Sequence, residues 1–230
     1  EVSNFDLQKL FLSMGLNNVP AGLLATGQAS CSGVIQPNPT ASCRVQTDIE
    51  NFWVKTALKG GLNILKLKQV QLVGETKFTK EGLTYKTDIQ IGSSKGTSAG
   101  TVDFKNGFDI RYETNGLNFN DVESLADLSI KGNLKIRGTT SGDTTGGIIS
   151  ANISMHNSEI EDFRLGHFDS VIEYKKKHLK FGDLLGVVGK SAVSGFLNFN
   201  FSDSTLEGNL SSALLNGEDV LQILNNDFLP

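Results

Sequence analysis

The sequence lacks the features of helical, membrane-spanning and nucleic-acid-binding proteins. Ala and Glu never cluster over a long window, which disfavours long helices. No apolar run approaches the length of a membrane span, and neither an initiator methionine nor a signal peptide is present. We therefore expect either a mature segment or a piece cut from a longer protein, and a membrane anchor can lie upstream of it. The formal net charge is −4 and no basic stripe occurs, so we expect no nucleic-acid partner.

Proline and hydrophobic residues are also scarce, whereas glycine is abundant. The chain of 230 residues has 4 prolines and 25 glycines, and Ser, Thr and Asn are common. This composition is typical of short strands joined by polar turns, and it predicts an all-β protein. Hydrophobic residues make up 38% of the chain, which is below the usual range for a globular domain. The core is therefore expected to be thin or open on one side.

Alternating apolar and polar residues predict many short strands in meander order. In the stretch 126–138, Ile130, Leu134 and Ile136 fall on one face, while Lys, Asn and Arg fall on the other. Asn106-Gly107 is the strongest hairpin signal in the chain. Other strands are predicted at 22–33, 42–54, 83–91, 148–156, 168–174, 179–181 and 193–201, and an apolar run at 62–73 slips phase between Leu67 and Val70, which predicts a bulge. Because no helix pattern separates these strands, a parallel βαβ fold is not expected.

The chain also carries signs of an internal repeat. Gly27 and Gly132 are 105 positions apart, and so are Gly33 and Gly138. Short acidic-apolar segments occur three times, at Asp6-Leu7, Asp121-Val122 and Asp219-Val220. These matches predict two β-repeats, 1–125 and 126–230, with short helices at their seams. Asn4 is expected to cap the first such helix, whose apolar face would be Phe5, Leu7, Leu10, Phe11 and Met14.

Cys31 and Cys43 flank a stretch that reads as the tip between two strands. They lie at comparable distances from Pro37-Asn38-Pro39, so they can face each other across a hairpin. A disulfide closing a loop of this size contributes roughly 3 kcal/mol in the chain-entropy model, and it persists only in an oxidising compartment such as a bacterial periplasm. The alternative is that both are reduced, small strand residues.

No constellation in the sequence predicts catalysis, a metal site or a cofactor. His156, His167 and His178 have no metal-ligand spacing around them, and the carboxylates at 159–162 are typical of a solvated edge. The stretch Gly186–Ser191 lacks the spacing of a phosphate-binding loop, and no helix pattern follows it. We therefore expect no enzyme. Lys175-Lys176-Lys177 reads as a solvated turn or as a contact for anionic lipid head groups.

The order of these motifs resembles that of a known family. A Leu-x-x-x-Gly-x-Leu-x-x-x-Gly strand, amphipathic strands around a polar insertion, a Gly-x-Leu/Val-x-Phe strand and a short Asp-Val turn occur twice, the third motif at Gly100–Phe104 and Gly195–Phe199. This order is similar to the AsmA and TamB group of bacterial envelope proteins. The resemblance implies an inner-membrane-anchored protein of a Gram-negative bacterium, whose periplasmic part is a curled, mostly antiparallel sheet shaped like a taco.

In such a protein the groove is lined by apolar side chains and conducts phospholipid between the inner and outer membranes. The resemblance also implies an Omp85-type outer-membrane partner, so an alternative function is to scaffold the assembly of outer-membrane proteins. A further alternative is structural, because the same strand faces can meet in the closed core of a sandwich or solenoid.

If the groove exists, strand alternation indicates which side chains contact the lipid. Shielding a sixteen-carbon acyl chain from water is worth on the order of 12 kcal/mol, so a carrier needs a continuous apolar strip. The predicted lipid-binding residues are Ile89, Ile91, Val102, Phe104, Ile110, Ile130, Leu134, Ile136, Val193, Leu197, Phe199 and Phe201.

Overall fold

The computed structural model describes residues 2–6, 8–9, 12, 21–34, 38–55, 63–125, 129–143, 146–160, 163–200, 202–203 and 205–219. These residues form fourteen strands and one short 3₁₀ turn, Phe119–Asp121, and residues 8–9, 12 and 217–219 are helical. The strands are β1 (Val2–Asp6), β2 (Ala21–Val34), β3 (Thr40–Lys55), β4 (Asn63–Thr79), β5 (Gly82–Ile91), β6 (Ser94–Asp103), β7 (Gly107–Asn118), β8 (Ser124–Leu125), β9 (Ile130–Asp143), β10 (Gly146–Ile160), β11 (Phe163–Lys175), β12 (His178–Val188), β13 (Ser191–Asn200) and β14 (Thr205–Leu214).

All fourteen strands belong to one antiparallel sheet, which confirms the predicted fold class. Strands β1 to β7 and β9 to β14 follow one another in chain order across the sheet, and the two-residue strand β8 pairs with β4. The sheet curls but does not close into a barrel. Because each strand pairs with its neighbour in sequence, short connections are sufficient to join the strands from β2 to β7 and from β9 to β14.

The alternation predicted for 126–138 is confirmed in β9. From Ile130 to Arg137, half-buried residues alternate with exposed ones. The most buried apolar cluster lies in β2, β3 and β4 and consists of Ala25, Ile49, Leu67 and Val70. Leu67 and Val70 are 5% and 6% exposed, so both sides of the predicted phase slip face the same cluster. Their partner strand is irregular at the same level, because Asn51 has a φ of 53°.

The hairpin predicted at Asn106-Gly107 is present, but its turn starts earlier than the sequence pattern suggested. The carboxylate of Asp103 accepts hydrogen bonds from the backbone N–H groups of Lys105 and Asn106 at 2.8 and 2.9 Å. Phe104 therefore lies in the turn between β6 and β7 and is 61% exposed. Gly107 opens β7 with a φ of +115°, a conformation that favours glycine.

The predicted Asn4 helix cap is wrong. Asn4 and Phe5 lie in β1, which pairs with β2. The cap is Asp6, whose Oδ1 accepts hydrogen bonds from the backbone N–H groups of Gln8 and Lys9 at 3.0 and 3.2 Å. The other residues of the predicted apolar face, Leu7, Leu10, Phe11 and Met14, lie outside the described residues.

A network that we call the first clasp ties the end of β7 to the turn between β5 and β6. Asp121 Oδ2 accepts from the backbone N–H and the hydroxyl of Ser93 at 3.0 and 2.8 Å, and from the hydroxyl of Ser94 at 2.7 Å. Ser94 Oγ accepts from the backbone N–H of Asn118 at 2.8 Å. Gly92 has a φ of +56°, and a Cβ there would lie 2.4 Å from Asp121 Oδ1. Burial raises the pKa of Asp121, but the hydrogen bonds from Ser94 and Ser93 outweigh it and hold that pKa below its ordinary value.

A second clasp repeats the first at the end of β14. Asp219 Oδ2 accepts from the hydroxyl of Ser191 at 2.7 Å and from the backbone N–H of Lys190 at 2.9 Å. Ser191 Oγ accepts from the backbone N–H of Asn216 at 2.9 Å, and Gly189 has a φ of +60°. The hydrogen bond from Ser191 lowers the pKa of Asp219, against a smaller effect of burial. The end of the stretch Gly186–Ser191 is thus a hairpin turn held by a carboxylate.

The pattern of strand pairing, like the clasp, occurs once in each half of the sheet. One row of directly opposed residues crosses β2 to β7, and a matching row crosses β9 to β14. The first row is Gly33, Ala41, Phe78, Leu83, Val102 and Phe108, and the second is Thr140, Ile149, Tyr174, Leu179, Phe199 and Leu206. Gly33 therefore corresponds to Thr140 rather than to Gly138. Because β7 pairs with β9, the sheet runs across the boundary at 125/126 without a break, and the division into two domains there stays a prediction.

Candidate functional site

Ten of the twelve predicted lipid-binding residues share one face of the sheet, which we call the apolar face. Directly opposed residues in a sheet point to the same side, so the register decides which side chains are together. Ile89 is opposite Gly96, Gly96 is opposite Thr114, and Thr114 is opposite Ile136. Four strands are crossed in this way, and residues of both predicted repeats fall on the same side.

The first half of the apolar face is continuous from β4 to β7. Ile89 lies opposite Leu72, and Ile91 lies opposite Val70. Val102 lies between Leu83 and Phe108, which are its partners on the two neighbouring strands. The last predicted residue of this half, Ile110, is opposite Thr140 and so leads directly into the second half.

The second half extends from β9 to β14, but each of its strand pairings contains a register shift. Leu134 and Ile136 are opposite Met155 and Ile153, and Ile130 is opposite Ile160. The opposed pairs of β12 and β13 on this face include Phe181 with Leu197, Leu179 with Phe199, and Gly186 with Val193. Of the other two predicted residues, Phe104 is displaced into its turn, and Phe201 lies outside the described residues.

The apolar face is only half covered. Of the predicted residues on it, none belongs to the buried core, and all ten are half-buried. Every strand that the structure describes belongs to the same sheet, so no second described sheet lies against this face. Near the open edge the face becomes more exposed, and Leu206 and Leu210 in β14 are 66% and 54% exposed. Such an arrangement can receive an elongated apolar molecule without unfolding.

The opposite face of the sheet is mainly polar, although Val73, Leu185 and Val187 are exposed on it. Its cross-strand ion pairs include Arg137–Glu113 at 2.5 Å and a Lys131–Glu159 pair in the neighbouring part of β9. One open depression of about 670 Å³ lies between its side chains and is lined by residues such as Gln71, Asp88 and Lys95. Both polar and apolar groups line this depression.

Two histidines that are distant in sequence come together on the polar face. The rings of His156 and His167 are stacked with centroids 4.3 Å apart. His167 Nε2 lies 3.0 Å from Asp169 Oδ2, and His156 Nε2 lies 3.1 Å from Ser154 Oγ. A hydrogen bond from Ser154 is the largest cause that lowers the pKa of Asp169. Sequence reasoning treated these histidines as isolated, because only the register of β10 and β11 joins them.

The side chains of this cluster are not arranged as a metal site. Among the described residues, no group of three or more His, Cys, Asp or Glu side chains is placed to hold a metal ion. The third histidine, His178, opens β12 after the turn Lys176–Lys177, where both lysines have positive φ and are exposed. That geometry matches a type I′ hairpin turn. It agrees with the interpretation of the lysine run as a solvated turn.

The predicted disulfide is confirmed. Cys31 and Cys43 are directly opposed on β2 and β3 and are joined by a bond, with their Cα atoms 4.1 Å apart. Their position in the sheet corresponds to Gly138 and Ala151 in the second half, which are opposed in the same way. The hairpin geometry is therefore shared by both halves, and only the first half adds the covalent link.

No helix in the described part of the chain has both the length and the apolar character needed to cross a bilayer. A scan against protein-family models and searches of curated proteins and of solved structures found no match to this chain.

Proposed function

We propose that the apolar face binds the acyl chains of phospholipid and that the protein conducts phospholipid through the periplasm between the inner and outer membranes of a Gram-negative bacterium. The proposal also covers a relationship of this chain to the AsmA and TamB group, which its sequence motifs resemble. The observation that carries it is the register: ten apolar residues from several strands lie on one side of one sheet and are half-buried without a second described sheet against them.

The dimensions of the sheet suit this role. A strand such as β9, with 14 residues, spans about 46 Å at roughly 3.3 Å per residue. Neighbouring strands lie about 4.8 Å apart, so the apolar side chains form a continuous surface rather than separate pockets. An acyl chain on this surface exchanges water for hydrocarbon along its length, at about 0.8 kcal/mol per buried methylene.

The disulfide supports the proposed location. Cys31–Cys43 links β2 to β3, and bonds of this kind persist in oxidising compartments. The proposal needs no cofactor and no catalytic group, since lipid moves along the surface without a change of covalent bonds.

Photo-crosslinking tests the proposal. A benzophenone amino acid replaces Ile136 on the apolar face or, as a matched control, Lys135 on the polar face of the same strand. Each protein is irradiated with vesicles of phosphatidylethanolamine and phosphatidylglycerol, and adducts are identified by mass spectrometry. We expect lipid adducts from position 136 and a several-fold lower yield from position 135. Equal yields from the two positions, or none from either, would contradict the proposal.

A further inference from the structure

The two outer edges of the sheet match the two strands that already meet in its middle. The junction between the repeated halves is the pairing of β7 with β9. In the row of opposed residues that repeats, Phe108 of β7 corresponds to Leu206 of β14, and Thr140 of β9 corresponds to Gly33 of β2. Strand β14 is thus a second copy of β7, and β2 is a second copy of β9.

Both of these counterpart edges are open in the described structure. All ten residues of β14 are exposed, and its only described partner strand is β13. Strand β1 pairs with β2 only as far as Gly27, so residues 28–34 of β2 pair with β3 alone among the described strands. Residues 28–34 are also exposed throughout.

Few of the features that usually prevent strands from pairing with other chains are present at these edges, and the one register shift in the pairing of β13 with β14 lies at the end of β14, between Ser212 and Leu214. Proteins protect an open edge with charged residues, prolines or bulges. Strand β14 has a single charged residue, Glu207, and residues 28–34 of β2 have none and contain no proline. Large residues on one edge also face small ones on the other, since Leu210 takes the place of Tyr112 and Cys31 takes the place of Gly138.

We propose that β14 of one molecule pairs antiparallel with residues 28–34 of β2 in a second copy of this chain, in the register that β7 and β9 use. The corresponding pairs are Ser212 with Ala29, Ser211 with Ser30, Leu210 with Cys31, Asn209 with Ser32 and Gly208 with Gly33. The contact joins two different surfaces, so it adds molecules head to tail and does not close after two. It also continues the apolar face from one copy to the next, but it does not rest on the proposed lipid function.

Charge pairs test the register directly. Ser211 and Ser30 take the places of Glu113 and Arg137, which form an ion pair across the existing junction. The opposite-charge variant, Ser30→Arg with Ser211→Glu, recreates this pair at every intermolecular junction. The like-charge variant, Ser30→Arg with Ser211→Arg, places two positive charges there. The shifted variant, Ser32→Arg with Ser211→Glu, has the same charges as the opposite-charge variant but moves the basic residue by two positions along the same exposed face.

Self-association of the oxidised protein is measured by sedimentation velocity from micromolar to near-millimolar concentration, with circular dichroism to verify that each variant is folded. We expect concentration-dependent oligomers in the parent. The association constant of the opposite-charge variant should exceed that of the like-charge variant by about five- to ten-fold in low salt, with the shifted variant between them, and added salt should narrow the difference.

Two outcomes would overturn the proposal. One is a parent protein that stays monomeric over the whole range. The other is association that is equally strong in all three variants, which would place the contact elsewhere, for example between apolar faces. If the like-charge variant fails to fold, the comparison of the opposite-charge variant with the shifted variant still decides the register.

Discussion

Asp121 is the single residue on which the first clasp depends. Its carboxylate accepts hydrogen bonds from three groups of Ser93 and Ser94, which makes it the common acceptor of that turn. We expect Asp121→Ala to lower the free energy of unfolding by about 2 kcal/mol, because hydrogen bonds to a charged acceptor are lost. The control is Asp88→Ala, which removes an exposed carboxylate from the polar face of β5. Chemical denaturation checks both, and equal stabilities of the two variants would contradict the role of the clasp.

The same carboxylate predicts a pH dependence. Its pKa is lower in the folded protein than in the unfolded chain, where an aspartate has a pKa of about 3.9, so its stabilising effect is complete above that value. The effect is lost as the pH falls through the folded-state pKa, since the unfolded chain then binds the proton more readily. The stability difference between the parent and Asp121→Ala should therefore be constant near neutral pH and shrink below about pH 4. A difference that stays unchanged in acid would argue against this cause.

Three residues show what the sequence pattern does not predict at this scale. The alternation placed Phe104 in a strand, but the Asp103 carboxylate caps the following N–H groups and starts the turn before it. His156 and His167 were interpreted separately, and their stacking depends on a register shift between Met155 and Ser158. Both outcomes arise from side-chain hydrogen bonds or irregular pairing, which a period-two pattern does not encode.

At the scale of elements, the disulfide-linked hairpin of β2 and β3 gives a prediction of its own. The bond closes a loop with a sequence separation of 12, which in the chain-entropy model is worth roughly 3 kcal/mol. Cys31→Ser with Cys43→Ser should lower the free energy of unfolding by about that amount. Ser32→Ala with Ser42→Ala alters the adjacent opposed pair without removing a covalent bond and serves as the control. The same stability for both double variants in non-reducing buffer would contradict the prediction.

The strands themselves were largely predictable, because one polar face and one apolar face leave a clear alternation. The correspondence of residues between the two repeats was predicted less well. The glycine match suggested that Gly33 corresponds to Gly138, whereas the opposed rows pair it with Thr140. The repeated acidic segments were the better guide, since Asp121 and Asp219 hold equivalent clasps, but Asp6 caps the residues that follow it instead. Their shared partners, the glycine-serine turns, lie about 28 residues away and give no local signal.

At the scale of the whole molecule, the sheet is a meander, and local pairing made its order predictable. What the sequence left open was whether the apolar faces meet in a closed core or stay accessible. Residues such as Leu197 and Ile136 have the same pattern in both cases. The structure places them half-buried on one face of a single curled sheet, and this accessibility is the basis of the proposed function.

The most direct measurement compares a charge on each face of β13. Leu197→Asp puts a carboxylate on the apolar face, and Ala192→Asp puts one on the exposed polar face of the same strand. On an open face the new charge at 197 stays hydrated, so both variants should melt within a few degrees of the parent, while only Leu197→Asp loses binding to phospholipid vesicles. If Leu197→Asp fails to fold while Ala192→Asp is stable, the charge has entered a closed core and the open-face account is wrong. A folded Leu197→Asp protein that binds lipid as the parent does would equally contradict it.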